Sequence, residues 1–524
     1  MTARASAILR RVVAVLLAAA VLVPLALLWQ TSRVPGSFSV ADAGAPERGS
    51  GPRVTSLDAH GGHGGHGSDG SDGSDSGHGA SAAVVGVDEL TAPSGPAAVR
   101  LTLTARSEQV EIAPGVTIDA YTVNGSTPGP TVHATQGDLV EVRFVNESVP
   151  GGATLHWHGV DVPGAADGVA GVTQDAVPVG GSFTYRFVAA DAGTYWYHSH
   201  QVSHEQVRKG LLGAVVVSPD PAAEVAGGAQ VARLLATAVD VPALVHQYGA
   251  RRTVQGTTGD LPVEVSPGQA ARVRVVNTDN GSLPVWVSGA SFRLLAIDGS
   301  DVHEPPEVHD QAVVVPAGGR ADLLVVAPAD GSAARVELGG SAGVVVGPAG
   351  EERAPEPRPT TTLDPLSYGT PAPLGFDPQD ATRSFPYVIG RAPGFLDGKP
   401  GLHWTVNGHT YPDVPMFTVA EGDVVRMRID NRSGEPHPMH LHGHHVVVLS
   451  RDGVAASGSP WWVDSLEVGD GEVYDIAFVA DNPGIWMDHC HNLPHATEGL
   501  VAHLMYEGVT TPYLLGHDTG NVPE

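Results

Sequence analysis

Gly193-Thr194-Tyr195-Trp196-Tyr197-His198-Ser199-His200 recurs late in the chain as Gly484-Ile485-Trp486-Met487-Asp488-His489-Cys490-His491. Each runs from a glycine through aromatic and apolar residues to a His-x-His, with the same spacing. Matched segments precede both. Val123-Asn124-Gly125, Pro130-Thr131-Val132, Gly137-Asp138 and the strand-like Val140–Asn146 correspond to Val406-Asn407-Gly408, Pro415-Met416-Phe417, Gly422-Asp423 and Val424–Asn431. A third copy lies between them, with Ser266-Pro267-Gly268-Gln269 leading into Ala271–Asn277 and Val313–Arg320 standing where a hairpin precedes the second cluster elsewhere. No His-x-His follows in that copy. Period-2 alternation bounded by Gly-Asp turns, written repeatedly, predicts an all-β chain of duplicated β-sandwich domains.

The histidines carry the chemistry. Ten of them and the single cysteine fall in four short clusters: His156-Trp157-His158, His198-Ser199-His200, His437-Pro438-Met439-His440-Leu441-His442, and His489-Cys490-His491 with His495. On a strand, residues i and i+2 share a face, so each His-x-His aims two imidazoles in one direction. Cys490, between two such histidines, faces the other way, where His437 and His495 can join it. Two His and one Cys make a blue-copper donor set. The other pairs supply eight imidazoles, enough for three further ions close together. The peptide link from Cys490 to its flanking histidines is then a short covalent path for electrons. Zinc sites need only three or four ligands, and heme c attachment needs a Cys-x-x-Cys-His that is absent. Ser199 has no nucleophile elbow around it.

Composition narrows the rest. The 524 residues carry a net charge of −28, which disfavours nucleic acid and anionic membrane surfaces as partners. One thiol excludes a disulfide framework. Arg4, Arg10 and Arg11 precede an apolar run from Val12 to Trp29, long enough to span a membrane with the N-terminus inside. It reads as an anchor or a signal, which puts the enzyme outside the cytoplasm, membrane-anchored or secreted. Arg10-Arg11 can form a twin-arginine export pair, and Ala41-Asp42-Ala43 is a candidate cleavage site. The segment 36–97, with His60, His63 and His66 among Gly, Ser and Asp, reads as a disordered linker.

These motifs, in this order, resemble the multicopper oxidases in the three-domain form of laccases and bacterial copper oxidases. The resemblance runs from about residue 98 to 510. It implies three cupredoxin-like Greek-key domains at 98–222, 223–352 and 379–524, with a linker at 353–378 and a signal or anchor at 1–35. It also implies about four coppers per chain. Carried over by position, His437, Cys490 and His495 would bind the type 1 copper, and His156 and His440 the type 2 copper. His158, His198, His200, His442, His489 and His491 would bind the binuclear type 3 pair. Asp167, before Gly168, matches the family's proton-moving acid, so Asp167 and Cys490 are the catalytic candidates. Leu500 stands at the axial position of the type 1 site as a non-ligand, with Met505 the alternative if the register differs. Ala496 replaces a glutamate thought to relay protons in several members, and Glu498 is the nearest substitute. The expected reaction is oxidation of a reductant coupled to reduction of O2 to water. Phenols and small aromatics are favoured over Cu(I), because the chain has only six Met and these are dispersed. Copper nitrite reductases lack histidines flanking the cysteine, and a copper carrier needs no trinuclear cluster.

Overall fold

The computed structural model describes residues 3–51, 84–222 and 228–524. The chain is all-β, built as three cupredoxin-like sandwiches in tandem. The first pairs a sheet of Val116–Val123, Val99–Ala113, Leu139–Asn146 and Ser182–Val188 with one of Val132–Thr135, Leu212–Ser218, Gly193–His198 and His156–His158. The third repeats this plan. Its histidine-bearing sheet orders Pro415–Val419, Val501–Tyr506, Ile485–Cys490 and His437–Leu441, again with one parallel pair followed by antiparallel pairs. Parallel neighbours cannot be joined by a tight hairpin, so the chain crosses between sheets, giving the Greek-key path.

The repeat has a physical cause. Leu139–Asn146 and Val424–Asn431 have the same alternation of buried and outward residues, so each lays one apolar face on its own core. Phe144, Tyr185 and Phe187 fill the first core, and Phe417, Ile429, Ile476 and Leu504 the third. Each of the three copies ends this strand on a buried asparagine. The Nδ2 groups of Asn146, Asn277 and Asn431 donate to Val177 O, Val315 O and Val468 O at 2.9, 3.0 and 2.9 Å. An unmade bond at such a site costs about 1–3 kcal/mol, which explains why the polar residue sits inside an apolar core in all three copies.

The middle copy departs from simple alternation. Ala270–Asn277 and Arg320–Val326 are buried on both faces, because this sheet packs outward against the first sandwich. Thr194 Oγ1 donates to Asp322 at 2.7 Å, and Trp196 Nε1 to Gly318 O at 3.1 Å.

Two linker expectations change. Within the expected linker 36–97, residues 52–83, including His60, His63 and His66, lie outside the described residues. Its two ends are built onto the third sandwich: Ala45–Glu47 pairs with Pro415–Phe417, Val85–Gly86 pairs with Val509–Thr510, and Val40 and Val87 are buried. Apolar anchors embedded in a low-complexity stretch are enough to dock it. Within 353–378, Thr361–Thr362 adds a strand beside Gln311–Ala312, and Leu363, Leu366 and Tyr368 are buried.

At the N-terminus, helix Ala3–Thr31 contains a segment, Ile8–Thr31, long and apolar enough to cross a membrane. Its end is tied to the turn of the hairpin Arg383–Leu396/Lys399–Val406. Asp397 N donates to Ser32 O at 2.9 Å, and Arg33 pairs with Asp397 at 3.5 Å.

Candidate metal centre

Strand pairing brings the four clusters together. His156 lies opposite His198 in the first sandwich, and His440 opposite His489 in the third. The two sheets meet so that their imidazoles share one chamber. Three all-histidine groups of donors close enough for a metal ion form there: His156 with His158 and His440, His158 with His198 and His491, and His200 with His442 and His489. Nε2 of His440 is 3.4 Å from Nε2 of His156, and Nε2 of His442 is 3.3 Å from Nε2 of His489. All eight rings are buried. The middle sandwich closes one wall with Gly318. A Cβ there, at φ +80°, would lie 2.8 Å from His158 Cε1 and 2.9 Å from His491 Cδ2.

Cys490 faces away from this chamber, as its place between two histidines predicts. Its Sγ is 3.6 Å from His437 Nδ1 and 3.7 Å from His495 Nδ1, and those two nitrogens are 3.2 Å apart. Ser433 Oγ lies 2.7 Å from the outer nitrogen of His437, and Asn492 Nδ2 3.1 Å from that of His495. Leu500 is fully buried, and its carbonyl accepts from Cys490 N at 3.2 Å. Met505 pairs with Ile485 at the other end of the cysteine strand, about 16 Å along it at strand rise. Glu498 accepts from Trp404 Nε1 at 2.9 Å. It therefore belongs to the surroundings of Cys490 and not to the chamber.

The donors fit copper. His158 Nδ1, His198 Nε2 and both ring nitrogens of His200 and His491 are buried without a hydrogen-bond partner. Orphaned buried polar atoms are rare in proteins and signal an ion or water. Burial lowers the pKa of His198, His200, His442, His489 and His491, so their lone pairs stay free for a metal. Burial also pushes the Cys490 thiol up, and a thiolate there requires a cation beside it.

The outer nitrogens are held by carboxylates. Asp167 reaches His156 Nδ1 and His442 Nδ1, both at 3.1 Å. It gets there through a turn at Gly168 (φ +80°), where a Cβ would collide with the Leu155 carbonyl oxygen. Asp464, which the sequence did not flag, does the same for the other pair, at 3.1 Å from His158 Nε2 and 3.5 Å from His440 Nδ1. Arg320 from the middle sandwich donates to both oxygens of Asp464, at 2.7 and 2.5 Å. Glu524, also missed, places Oε1 3.1 Å from His489 Nδ1. Burial pushes its carboxyl up to about 8. An Asp in a Trp-Val-Asp-Ser run carries no motif. The spacing from a His-x-His that singled out Asp167 was the one available signal, and it differs in the third copy.

Comparison with known proteins agrees with this chemistry. Two family models, each described as multicopper oxidase, match residues 104–222 and 392–508. The chain is 28% identical over 489 residues to the multicopper oxidase MmcO of Mycobacterium tuberculosis, covering 82% of this chain and 91% of that protein. It is 27% identical to Laccase-1 of Botryotinia fuckeliana, covering 74% and 78%. The crystal structure of a multi-copper oxidase from Pseudomonas thermotolerans superposes with a TM-score of 0.62 at 28% identity, over 78% of this chain and 98% of that one. With copper donors in two buried groups and these relatives over most of its length, the chain belongs to the multicopper oxidases, copper-binding enzymes that oxidise a reductant with O2.

Proposed function

We propose that the protein is a laccase-like oxidase of phenols and other small aromatic reductants. In this reading His437, Cys490 and His495 hold the type 1 copper, and His156 and His440 the type 2 copper. His158, His198, His200, His442, His489 and His491 hold the type 3 pair. When bound, the coppers supply one-electron oxidation of the reductant and four-electron reduction of O2 to water. The chain's own residues set the stage. Burial excludes water from the chamber, and Asp167, Asp464 and backbone carbonyls fix ring orientation, as groups behind metal-binding histidines commonly do. Asp167 is the acid positioned to move protons at the chamber.

The observation that carries the substrate class is the rim around His495, the most exposed of the three Cys490-side donors. Trp404 lies 4.6 Å from its ring, Arg391 stacks on Trp404 at 3.6 Å, and Glu435 stands 3.6 Å from its Nε2. Trp404 is itself buried beneath Arg391, so the groups exposed beside His495 are the Arg391 guanidinium and the Glu435 carboxylate, which suit hydrogen bonding to the hydroxyl of a phenol. Thioethers, which favour Cu(I), do not line it among the described residues: Met416, Met427, Met439 and Met487 are buried in the core, and Met505 is on the far end of its strand. Cuprous oxidation is the second reading, favoured by His60, His63 and His66. Oxygen uptake by the purified copper-loaded protein decides between them. A phenol should drive faster uptake than Cu(I), and uptake with Cu(I) alone would overturn the substrate class.

The helix Ile8–Thr31 supports an extracytoplasmic enzyme held at a membrane, since Arg33 and Trp29 lie at its end in the manner of interfacial residues. Retention of the full chain in washed membranes is the expected result.

A further inference from the structure

Of the histidines in the chamber, most have their outer nitrogen engaged. Asp167 serves His156 and His442, Asp464 serves His158 and His440, and the Ser199 carbonyl lies 3.1 Å from His198 Nδ1. His489 has no such partner on its own sandwich. Its Nε2 points inward, 3.3 Å from His442 Nε2, and its Nδ1 points outward to Glu524 Oε1 at 3.1 Å. Both His489 Nδ1 and Glu524 Oε1 are buried and hydrogen-bonded to no group, each facing the other at 3.1 Å without the alignment of a formed bond, so each is the one polar atom within reach that can satisfy the other.

Glu524 is delivered by a segment built onto the first sandwich. Gln201 Nε2 donates to Gly520 O at 2.8 Å, Val522 N to Gln201 Oε1 at 2.9 Å, and Val202 N to Val522 O at 2.6 Å. Asn521 is held by Ala176 N at 2.9 Å and by Asp175 at 2.8 Å. Ser203 Oγ donates to the second carboxylate oxygen, Oε2, at 2.6 Å. These six contacts fix the segment and one carboxylate oxygen, which leaves Oε1 aimed at His489. The same oxygen is 3.9 Å from His200 Nε2, and His200 and His489 belong to one metal group with His442.

We propose that Glu524 is a positioning residue for the metal chamber: its carboxylate accepts the Nδ1–H of His489, fixes the tautomer that turns Nε2 inward, and so holds that half of the type 3 pair. The inference rests on the assignment of His489 to that pair. A carboxylate behind a metal-binding imidazole orients the ring and raises its basicity, and its loss typically costs roughly 10–100-fold in metal affinity. The contact also crosses between sandwiches, because Glu524 is anchored to residues 175–203 while His489 belongs to the third sheet.

The test uses the full chain with Glu524→Leu, which keeps the buried volume and removes the acceptor, and Glu524→Gln, which keeps an acceptor oxygen. Copper per chain is titrated, and the near-ultraviolet band of the coupled type 3 pair is followed beside the blue type 1 band. Glu524→Leu should lose the near-ultraviolet band at free copper roughly 10–100-fold higher than wild type does, with the blue band intact. Glu524→Gln should recover most of that loss. Wild-type affinity in Glu524→Leu overturns the proposal, as does Gln behaving like Leu. Parallel loss of both bands shows a general structural role and also overturns it. A wild-type protein without the near-ultraviolet band would instead refute the ligand assignment on which the inference stands.

Discussion

Replacing Arg320 by Met should weaken the protein far from any substrate, and the structure sets the size of the effect. Arg320 is fully buried and touches all three sandwiches. Its guanidinium donates to both Asp464 oxygens in the third, to Thr194 O in the first at 3.0 Å, and to Asp298 O in its own at 2.9 Å. Met fills a similar volume but leaves two buried carboxylates without their cation. Removing one partner of a buried pair costs about 3–5 kcal/mol. Two features pull the cost toward the lower end. Asp464 keeps contacts to His158, His440 and His445. Asp298, whose carboxyl burial already pushes up to about 6 against the pull of Arg320, can take a proton once the cation has gone. The expected loss is therefore about 3 kcal/mol. Urea unfolding of the apoprotein, followed by tryptophan fluorescence and by circular dichroism, gives the number where the two probes coincide. The double variant Arg320→Met/Asp464→Leu should lose less than the sum of the single losses, since the two side chains are in contact. A midpoint within about 0.5 kcal/mol of wild type for Arg320→Met, or strict additivity in the double variant, would refute the reasoning.

Cys490→Ser should abolish the blue colour and the oxidase activity while the chamber keeps its metal, because Sγ and the chamber imidazoles lie on opposite faces of one strand; elemental analysis should find one copper fewer per chain, and loss of all copper would contradict it. Asp167→Asn should slow oxygen reduction by roughly 10²–10⁴-fold, with a smaller effect on copper content, since an amide can still accept from His156 or His442 but cannot carry a proton; stopped-flow reoxidation of the reduced enzyme measures it, and an unchanged rate removes Asp167 from the mechanism. The apoprotein should lose stability in acid. Burial, then His495 and Arg391, lower His437 to about 3, and burial lowers His503 to about 4. With folded pKa values below the unfolded value of about 6.5, the unfolded chain takes up protons that the fold refuses. This stability is complete above about pH 6.5 and drains away as pH falls toward about 3; an apoprotein urea midpoint that holds steady between about pH 7 and 5 would count against it. Leu500→Met should lower the type 1 potential in a redox titration by offering a weak axial donor that favours Cu(II), and an unchanged potential would show that residue 500 is not axial.

What the sequence disclosed, and what it hid, follows from how each residue is specified. The histidines were legible because an alternating strand forces i and i+2 to one face, and because the pattern is written in two copies. Asp167 was legible through its spacing from His156 and the glycine after it, whose left-handed backbone the turn requires. Asp464 plays the matching part in the third copy, but it follows His440 at a longer interval and sits in a run without glycine. Arg320 lies in the copy without metal donors, so nothing local marks it, and its partners come from two other sandwiches. Glu524 is placed by contacts to Gln201, Val202, Ser203 and Asn521's neighbours, none of which pattern or spacing can reveal. The edges of the expected linkers failed for a related reason. A few apolar side chains, Val40 and Val87 at one and Leu363 and Leu366 at the other, bury themselves on a sandwich whose surface the sequence does not display.

The two aspartates of the chamber divide the labour, and their surroundings decide how. His156 stacks on His442 at 3.8 Å and both rest on Asp167; His158 stacks on His440 at 3.7 Å and both rest on Asp464. Each carboxylate thus binds one histidine from the first sandwich and one from the third, so neither sandwich can complete the chamber alone. The equivalence ends at charge. Burial works to raise the Asp464 carboxyl, but Arg320 and the hydrogen bonds from His158, His440 and His445 hold it well below the usual carboxylate range. A carboxylate clamped on both oxygens by a buried guanidinium is a poor carrier of protons and a good strut. Asp167 pairs with no arginine or lysine among the described residues, only with the two imidazoles. No guanidinium clamps its oxygens. Of two carboxylates in matching positions, the unclamped one is the one that the proposed function makes the proton carrier, and the middle sandwich, which holds no metal donor among the described residues, separates the two by supplying Arg320.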